Sequence, residues 1–283
     1  MRQDIVQLYD DFTHRRLSRR VFMDRLTAIA GGTPAALGLL ETVAANPAAA
    51  ALVSADDKRL KTSRIRVPEG PLGYLAWPAE NRGPLPGLVI VHENRGLNAH
   101  IEDVTRRAAL EGFVALAPDF LTSAGGTPAD EDKAREMIGA LSMDAVVADA
   151  RKSIAWLAGQ EGVNGKVGIM GFCWGGGVTG RVAAAAPELG AAVVYYGPPP
   201  PTDAVANIKA PLLLHYAGLD ERINANVPAF REALDKAGVR YELHIYEGAN
   251  HAFNNDTSQA RYSEEAAKLA WQRTIDFLKR ELG

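Results

Sequence analysis

Cys173 is the only cysteine in 283 residues, and it stands between two glycines in Gly171-Phe-Cys-Trp-Gly175. A thiol with glycine two positions to either side fits a nucleophile elbow. In that tight strand-to-helix turn the nucleophile's backbone is strained, and only small neighbours clear it. The elbow would lift the sulfur to the amino end of the next helix, whose dipole favours a thiolate or a developing oxyanion. The same glycines overlap a second pattern. Gly175, Gly177 and Gly180 spell G-x-G-x-x-G, the loop that cradles a dinucleotide pyrophosphate. One reading is attack on a carbonyl, and the other is cofactor binding for hydride transfer. The cofactor reading needs a carboxylate at the end of the following strand to hold the ribose. That stretch runs Tyr195-Tyr196-Gly197-Pro198, and Asp203 lies beyond four prolines. The pattern also falls far along the chain, whereas the fingerprint belongs to a first strand–helix turn. The nucleophile reading is preferred, and no cofactor is expected.

A nucleophile needs a base, and the base needs an orienting acid, in the order nucleophile, acid, histidine. Asp220 follows the apolar run Leu212-Leu-Leu-His-Tyr-Ala, and His251 follows Tyr246-Glu-Gly-Ala-Asn. Both sit just past the carboxyl ends of predicted strands, which converge on one edge of a parallel sheet. Each alone is ordinary, since a loop aspartate usually forms a turn and a loop histidine usually meets solvent. The order and the placement together are the signal. His14 and His100 fall on predicted helices and are expected at the surface. His92, His215 and His244 lie in or at strands as core or edge residues. His92-Glu93-Asn94-Arg95-Gly96 begins like a zinc H-E-x-x-H but ends in glycine, and no other stretch has metal-ligand spacing, so no metal is expected.

The elements that must position these residues form a strand–helix alternation from about Lys61 onward. Predicted strands are 63–67, 73–77, 87–92, 113–117, 166–170, 191–196, 211–216 and 241–246. Predicted helices are 101–111, 130–140, 144–158, 176–186, 227–237 and 261–282. The apolar run at 87–92 suits a strand covered on both faces. Alternation of this kind implies an α/β fold, a mainly parallel sheet with helices on both sides. Pro198 to Pro201 is read as a stiff spacer.

The first 58 residues read as a helical extension, with the α/β domain over 59–283. Ile5, Leu8, Tyr9 and Phe12 recur at helical spacing, Ser18 can cap a second helix that Gly31-Gly32 stops, and Thr33-Pro34 opens a third. An export reading competes. Ser18-Arg19-Arg20-Val21-Phe22-Met23 looks like a twin-arginine signal and Ala48-Ala49-Ala50 like a cleavage site, but Asp24, Arg25 and Glu41 interrupt the apolar stretch. A retained prefix and a cytoplasmic protein are preferred. The net charge of −3 opposes a general nucleic-acid surface. No uncharged apolar run is long enough to span a bilayer, and no membrane partner is expected.

From about Lys61 onward the chain resembles the dienelactone hydrolase (carboxymethylenebutenolidase) family of the α/β-hydrolase fold. Gly171-Phe-Cys-Trp-Gly-Gly176, Gly218-Leu-Asp220, Asn250-His-Ala-Phe253 and His92-Glu-Asn-Arg-Gly-Leu-Asn98 carry the resemblance. It implies a triad of Cys173, Asp220 and His251, hydrolysis of a small ester or lactone through an acyl-thioester, and a role for Glu93 beside the resting thiol. The oxyanion hole would be the backbone N–H groups of Trp174 and Asn94. The chain departs from the family in its arginines. Asn254 and Asn255 follow His251 where an arginine is expected, and the first arginine downstream is Arg261. Arg95, Arg135, Arg222 and Asn255 are therefore the candidates for contacting a substrate acid group. A non-catalytic binding module on the same fold is the alternative, because fold alone does not prove chemistry.

Overall fold

A computed structural model describes residues 2–14, 17–44, 52–80 and 83–283. Eight strands form one sheet in the order β1-β2-β4-β3-β5-β6-β7-β8. They are β1 (Leu60–Arg66), β2 (Leu72–Pro78), β3 (Leu85–Val91), β4 (Val114–Asp119), β5 (Val163–Phe172), β6 (Ala191–Tyr195), β7 (Leu212–Ala217) and β8 (Tyr241–Tyr246). β1 and β2 pair antiparallel, β2 pairs antiparallel with β4, and the remaining pairings are parallel. The parallel strands therefore send their carboxyl ends to one edge. The central strands β3, β4, β6 and β7 are apolar and buried along most of their length, as two covered faces require.

Among the described residues three helices precede the sheet: α1 (Gln3–Thr13), α2 (Arg19–Ala30) and α3 (Thr33–Val43). Seven follow: α4 (Ala99–Leu110), α5 (Glu131–Ile138), α6 (Met143–Ala158), α7 (Trp174–Ala185), α8 (Glu221–Asn224), α9 (Val227–Ala237) and α10 (Glu264–Leu282). α4 and α10 cover one face of the sheet through Ile101, Val104, Ala270, Ile275 and Leu278. α6, α7 and α9 cover the other through Ile154, Val178, Val182, Phe230 and Leu234. The predicted alternation holds, and the differences lie at element ends and in the short helix α8, which the pattern did not predict.

The extension has a small core of its own. Ile5, Leu8, Tyr9 and Phe12 from α1 meet Phe22 and Leu26 from α2 and Ala36 and Val43 from α3. The Phe12 and Phe22 rings stack at 4.5 Å. Ser18 caps α2 by accepting from the Val21 N–H, and Gly31 ends it in a left-handed conformation at φ 77°. Arg19, the first of the arginine pair, is ion-paired with Asp132. The expected cleavage stretch Ala48–Ala50 lies outside the described residues. Among the described residues no single helix is long and apolar enough to cross a membrane.

Candidate active site

The elbow forms as a consequence of where glycine is absent and present. Cys173 precedes α7 with φ 55° and ψ −115°, a strained conformation for a residue with a side chain. A Cβ on Gly171 would lie 2.2 Å from the Gly175 carbonyl oxygen, and one on Gly175 would lie 2.4 Å from that of His92. Neither neighbour is a flexible side chain that could give way, so both positions demand glycine. The rival G-x-G-x-x-G pattern has a packing explanation. Cβ atoms on Gly177 and Gly180 would meet Pro198 at 2.8 Å and Pro200 at 3.1 Å. These glycines let α7 lie against the proline loop. That loop is more than the spacer expected, because Pro198 also lines the cavity that holds Cys173.

Asp220 and His251 come together from the ends of β7 and β8. His251 Nδ1 and Asp220 Oδ2 are 2.5 Å apart. The other Asp220 oxygen accepts from the Ile223 N–H at 3.2 Å and so caps α8. Burial alone would raise the Asp220 carboxyl, but the His251 and Arg222 charges outweigh it and hold the group below its ordinary value. His251 is buried, which disfavours its charged form, yet Asp10, the Cys173 sulfur and Asp220 together push its pKa well up. Cys173 is also buried, which opposes a thiolate, and the neighbouring His251 and His14 reverse this and bring its pKa down to about 6. A thiolate–imidazolium pair is the form that these fields favour.

A cavity of about 200 Å³ opens over the sulfur, walled mainly by Trp174, Ile138, Tyr196, Pro198, Arg135 and Arg222, with Asn94 and His251 at its floor. Trp174 is fixed by stacking on His92 at 5.3 Å and by the edge of Phe120 at 6.0 Å. Among the candidate arginines, Arg135 and Arg222 reach this cavity and Arg95 does not. Arg95 donates to the Glu131 carbonyl at 3.0 Å and to Asp132 at 3.3 Å. Arg222 approaches His251 Nδ1 at 3.5 Å and Asp10 at 4.0 Å. Arg135 lies over the Phe12 ring at 4.1 Å.

Glu93 does not pair with Arg95. Its oxygens accept from the Tyr196 hydroxyl at 3.3 Å and the Asn255 amide at 2.6 Å. Asn255 in turn accepts from the Thr257 N–H and hydroxyl, at 3.1 Å and 2.6 Å. Asn255 is thereby committed to holding Glu93, and both border a small adjoining cavity of about 20 Å³ that also touches Cys173 and His251. Burial and then the Glu93 and Cys173 charges push the Tyr196 phenol well up, so it stays a donor. Positive φ angles recur here, at Cys173 (55°), Tyr196 (39°) and Ala252 (64°), three of the four non-glycine cases among the described residues. Strain of this kind concentrates where a fold must aim particular side chains.

Two surface assignments are corrected. His100 is buried and faces Asp256 at 3.2 Å. His14, at the carboxyl end of α1, enters the site, with its Nε2 3.3 Å from Cys173 Sγ. Thr13 lines the cavity beside it, and the Thr13 carbonyl accepts from the Asn94 side chain at 3.0 Å. A lone histidine at a helix end leaves no periodic signature, and nothing in the sequence said where α1 docks.

Comparison with known proteins agrees with the architecture. The family model described as "Dienelactone hydrolase family" matches residues 72–282. A protein of Escherichia coli strain K12, provisionally named carboxymethylenebutenolidase, is 33% identical over 253 residues, covering 83% of this chain and 93% of its own. One of the same name from Methylorubrum extorquens is 32% identical over 284 residues, covering 94% of this chain and 96% of its own. The crystal structure of a provisionally named dienelactone hydrolase from Klebsiella pneumoniae superposes with a TM-score of 0.72 at 33% identity, over 78% of this chain and 98% of its own. By its elbow, its strand order and these similarities, the chain belongs to the dienelactone hydrolase family, hydrolases of the α/β-hydrolase fold.

Proposed function

We propose that this protein hydrolyses small esters or lactones through an acyl-thioester on Cys173. The observation that carries the reading is one constellation: a strained cysteine at the amino end of α7, facing a cavity of about 200 Å³, with an Asp220-bound His251 within 4.8 Å of the sulfur. Sulfur attacks the carbonyl, and the oxyanion forms between the backbone N–H groups of Trp174 and Asn94. One such donor is typically worth ~3–4 kcal/mol. His251 protonates the leaving oxygen, then takes a proton from the water that cleaves the thioester. Asp220 keeps the imidazole in the tautomer that presents Nε2 to the reacting atoms. A substrate acid group, if one is present, would meet Arg135 or Arg222 at the cavity wall, where a planar guanidinium suits a carboxylate. Thr13 and His14 line the same cavity, which supports a prefix retained in a cytoplasmic protein over one removed during export.

The test is turnover of p-nitrophenyl acetate with and without iodoacetamide, followed by mass spectrometry of Cys173. Steady turnover that falls in step with carboxamidomethylation of this residue is expected. No turnover and no modification would favour the binding module.

Glu93 is proposed to restrain the thiol, since a second negative charge near sulfur is disfavoured and a permanently exposed thiolate oxidises readily. Glu93→Gln removes that charge but turns an amide toward the Asn255 donor, whose oxygen is already engaged by Thr257. Alkylation of Cys173 below pH 6, where the thiol is still mostly protonated, is expected to quicken by up to about tenfold, one pKa unit of thiolate character, with little change at neutral pH. Unchanged alkylation kinetics would remove Glu93 from this role.

A further inference from the structure

Two aspartate–histidine pairs converge on one sulfur. His251 gives its Nδ1 to Asp220 at 2.5 Å. His14 gives its Nδ1 to the Asp10 carbonyl at 2.8 Å, with the Asp10 carboxylate 3.4 Å away. In both rings Nδ1 is committed, which leaves Nε2 for the reacting side. His14 Nε2 lies 3.3 Å from Cys173 Sγ, whereas the buried His251 Nε2 has no hydrogen-bond partner among the described residues. The two rings meet edge to face at 4.6 Å and 89°. Holding α1 in place does not require this arrangement: Ile5, Leu8, Tyr9 and Phe12 pack against α2 and α3, and Asn94, Arg95 and Arg135 donate to the Thr13 carbonyl, the Tyr9 hydroxyl and the Phe12 carbonyl. Placing Asp10 and His14 out of water costs stability that an apolar helix end would avoid.

Building on the thiol-hydrolase reading, we propose that α1 supplies a second catalytic histidine, His14, which is oriented by Asp10, takes the Cys173 proton and holds the resting thiolate. His251 is then left for the leaving group and for water. The steps balance as follows. The S–H proton passes to His14 Nε2. The sulfur lone pair forms the S–C bond as the carbonyl π pair moves to oxygen. Collapse breaks the C–O bond, and the departing oxygen takes the proton from the His251 imidazolium. Water gives a proton to His251 and its oxygen bonds to the thioester carbon. The C–S bond breaks, and the sulfur keeps the pair as thiolate beside protonated His14. A single imidazole would have to stabilise the thiolate by keeping its proton and assist departure by losing it. Two imidazoles separate these demands.

The electrostatics are consistent with this division. Burial lowers the His14 pKa, and the Cys173 and Asp10 charges more than restore it. Burial raises the Asp10 carboxyl, and the His251 and His14 charges pull it below its ordinary value. The charged and titratable groups facing His14 are Asp10 on its own helix, Cys173 at α7, Arg135 on α5, Tyr196 after β6, Arg222 on α8 and His251 after β8, with Tyr9, Glu93, Arg95, Glu131 and Arg261 around the small adjoining cavity.

The experiment uses the full chain with EDTA present, because His14, Cys173 and His251 offer donor atoms within 4.8 Å of one another and could take up stray metal. Rates of Cys173 alkylation by iodoacetamide are measured against pH, alongside the acylation burst with p-nitrophenyl acetate, for wild type, His14→Asn, His14→Ala and Asp10→Asn. In wild type the alkylation midpoint is expected near the sulfur's value of about 6. His14→Asn should move it up by about one unit or more and slow the burst in step with the lost thiolate, about tenfold per unit below the midpoint. Free imidazole should restore part of the burst in His14→Ala, which a packing role would not allow. Asp10→Asn should shift the midpoint in the same direction by less, and it serves if the His14 variants fold poorly. A wild-type midpoint and burst in the His14 variants would overturn the proposal, as would slow bursts with an unmoved midpoint and no imidazole rescue. If wild-type turnover instead survives complete alkylation of Cys173, the thiol-hydrolase reading itself fails, which is a separate result.

Discussion

Cys173→Ala is expected to abolish ester turnover, a loss of about a millionfold in kcat, comparable to removing the nucleophile from a serine-protease triad. The residual rate would come from the Trp174 and Asn94 donors and the cavity, acting on water alone. The fold should survive, because alanine keeps the Cβ that the elbow tolerates at φ 55° and removes only a sulfur from a site that is open on one side. Circular dichroism and the melting temperature would establish this alongside the kinetics. Cys173→Ser is the sharper companion. Serine is nearly the same size, but its hydroxyl stays protonated in fields that bring the thiol down to about 6. In the proposed mechanism the imidazoles stabilise an anion formed before attack, and an alcohol offers none. Only slight turnover is expected from Cys173→Ser. Activity near wild type would mean that His251 serves as a general base of the serine type. Wild-type activity should itself rise with pH through about 6, as the thiolate forms. The sign follows from the direction of the shift, since an acid with a depressed pKa carries its charge above that value.

Asp220→Asn has the second largest expected effect, roughly 10⁴-fold in kcat. The substitution preserves shape, and its carbonyl oxygen can still cap α8 through the Ile223 N–H, held at 3.2 Å in the native protein. What changes is the partner of His251. The aspartate oxygen at 2.5 Å accepts from Nδ1 and so fixes the proton there. An asparagine amide turned toward the ring donates instead, and the imidazole shifts to the tautomer with its proton on Nε2. That tautomer cannot accept a proton from water. Loss of the carboxylate charge also lowers the His251 pKa, one of whose supports is Asp220. The alkaline limb of the pH–rate profile should therefore move down. Steady-state kinetics across pH, with the melting temperature as control, separate this from unfolding. A loss below tenfold would show that another group orients the imidazole.

How much of this was legible in the chain varies from residue to residue. Val227–Ala237 and Tyr241–Tyr246 were predictable to the residue, because an amphipathic helical stripe and an alternating edge strand each carry their own period. The elbow was legible because Gly171 and Gly175 are fixed by contacts within a few residues or with the neighbouring strand. Asp220 and His251 were legible by position, since strand ends of a parallel sheet share an edge. The arginines were less so. Whether Arg95, Arg135 or Arg222 reaches the cavity depends on which acids and rings claim the long side chain first, and Glu131 and Asp132 claim Arg95.

By itself, the sequence determined the strand–helix alternation, the strained cysteine and the chain order of acid and base, because each of these is written in local spacing or in the topology that spacing imposes. Only the tertiary structure decided that α1 folds back over the sheet's edge, that His14, held by Asp10, faces the sulfur, and that Glu93 is held by Tyr196 and Asn255. The physical reason is that docking is set by which groups on two surfaces meet, here the Thr13 and Phe12 carbonyls, Tyr9 and Asp10 of α1 against Asn94, Arg135, Arg95, Arg261 and Arg222. That complementarity is a property of two surfaces at once, and neither segment's own pattern contains it.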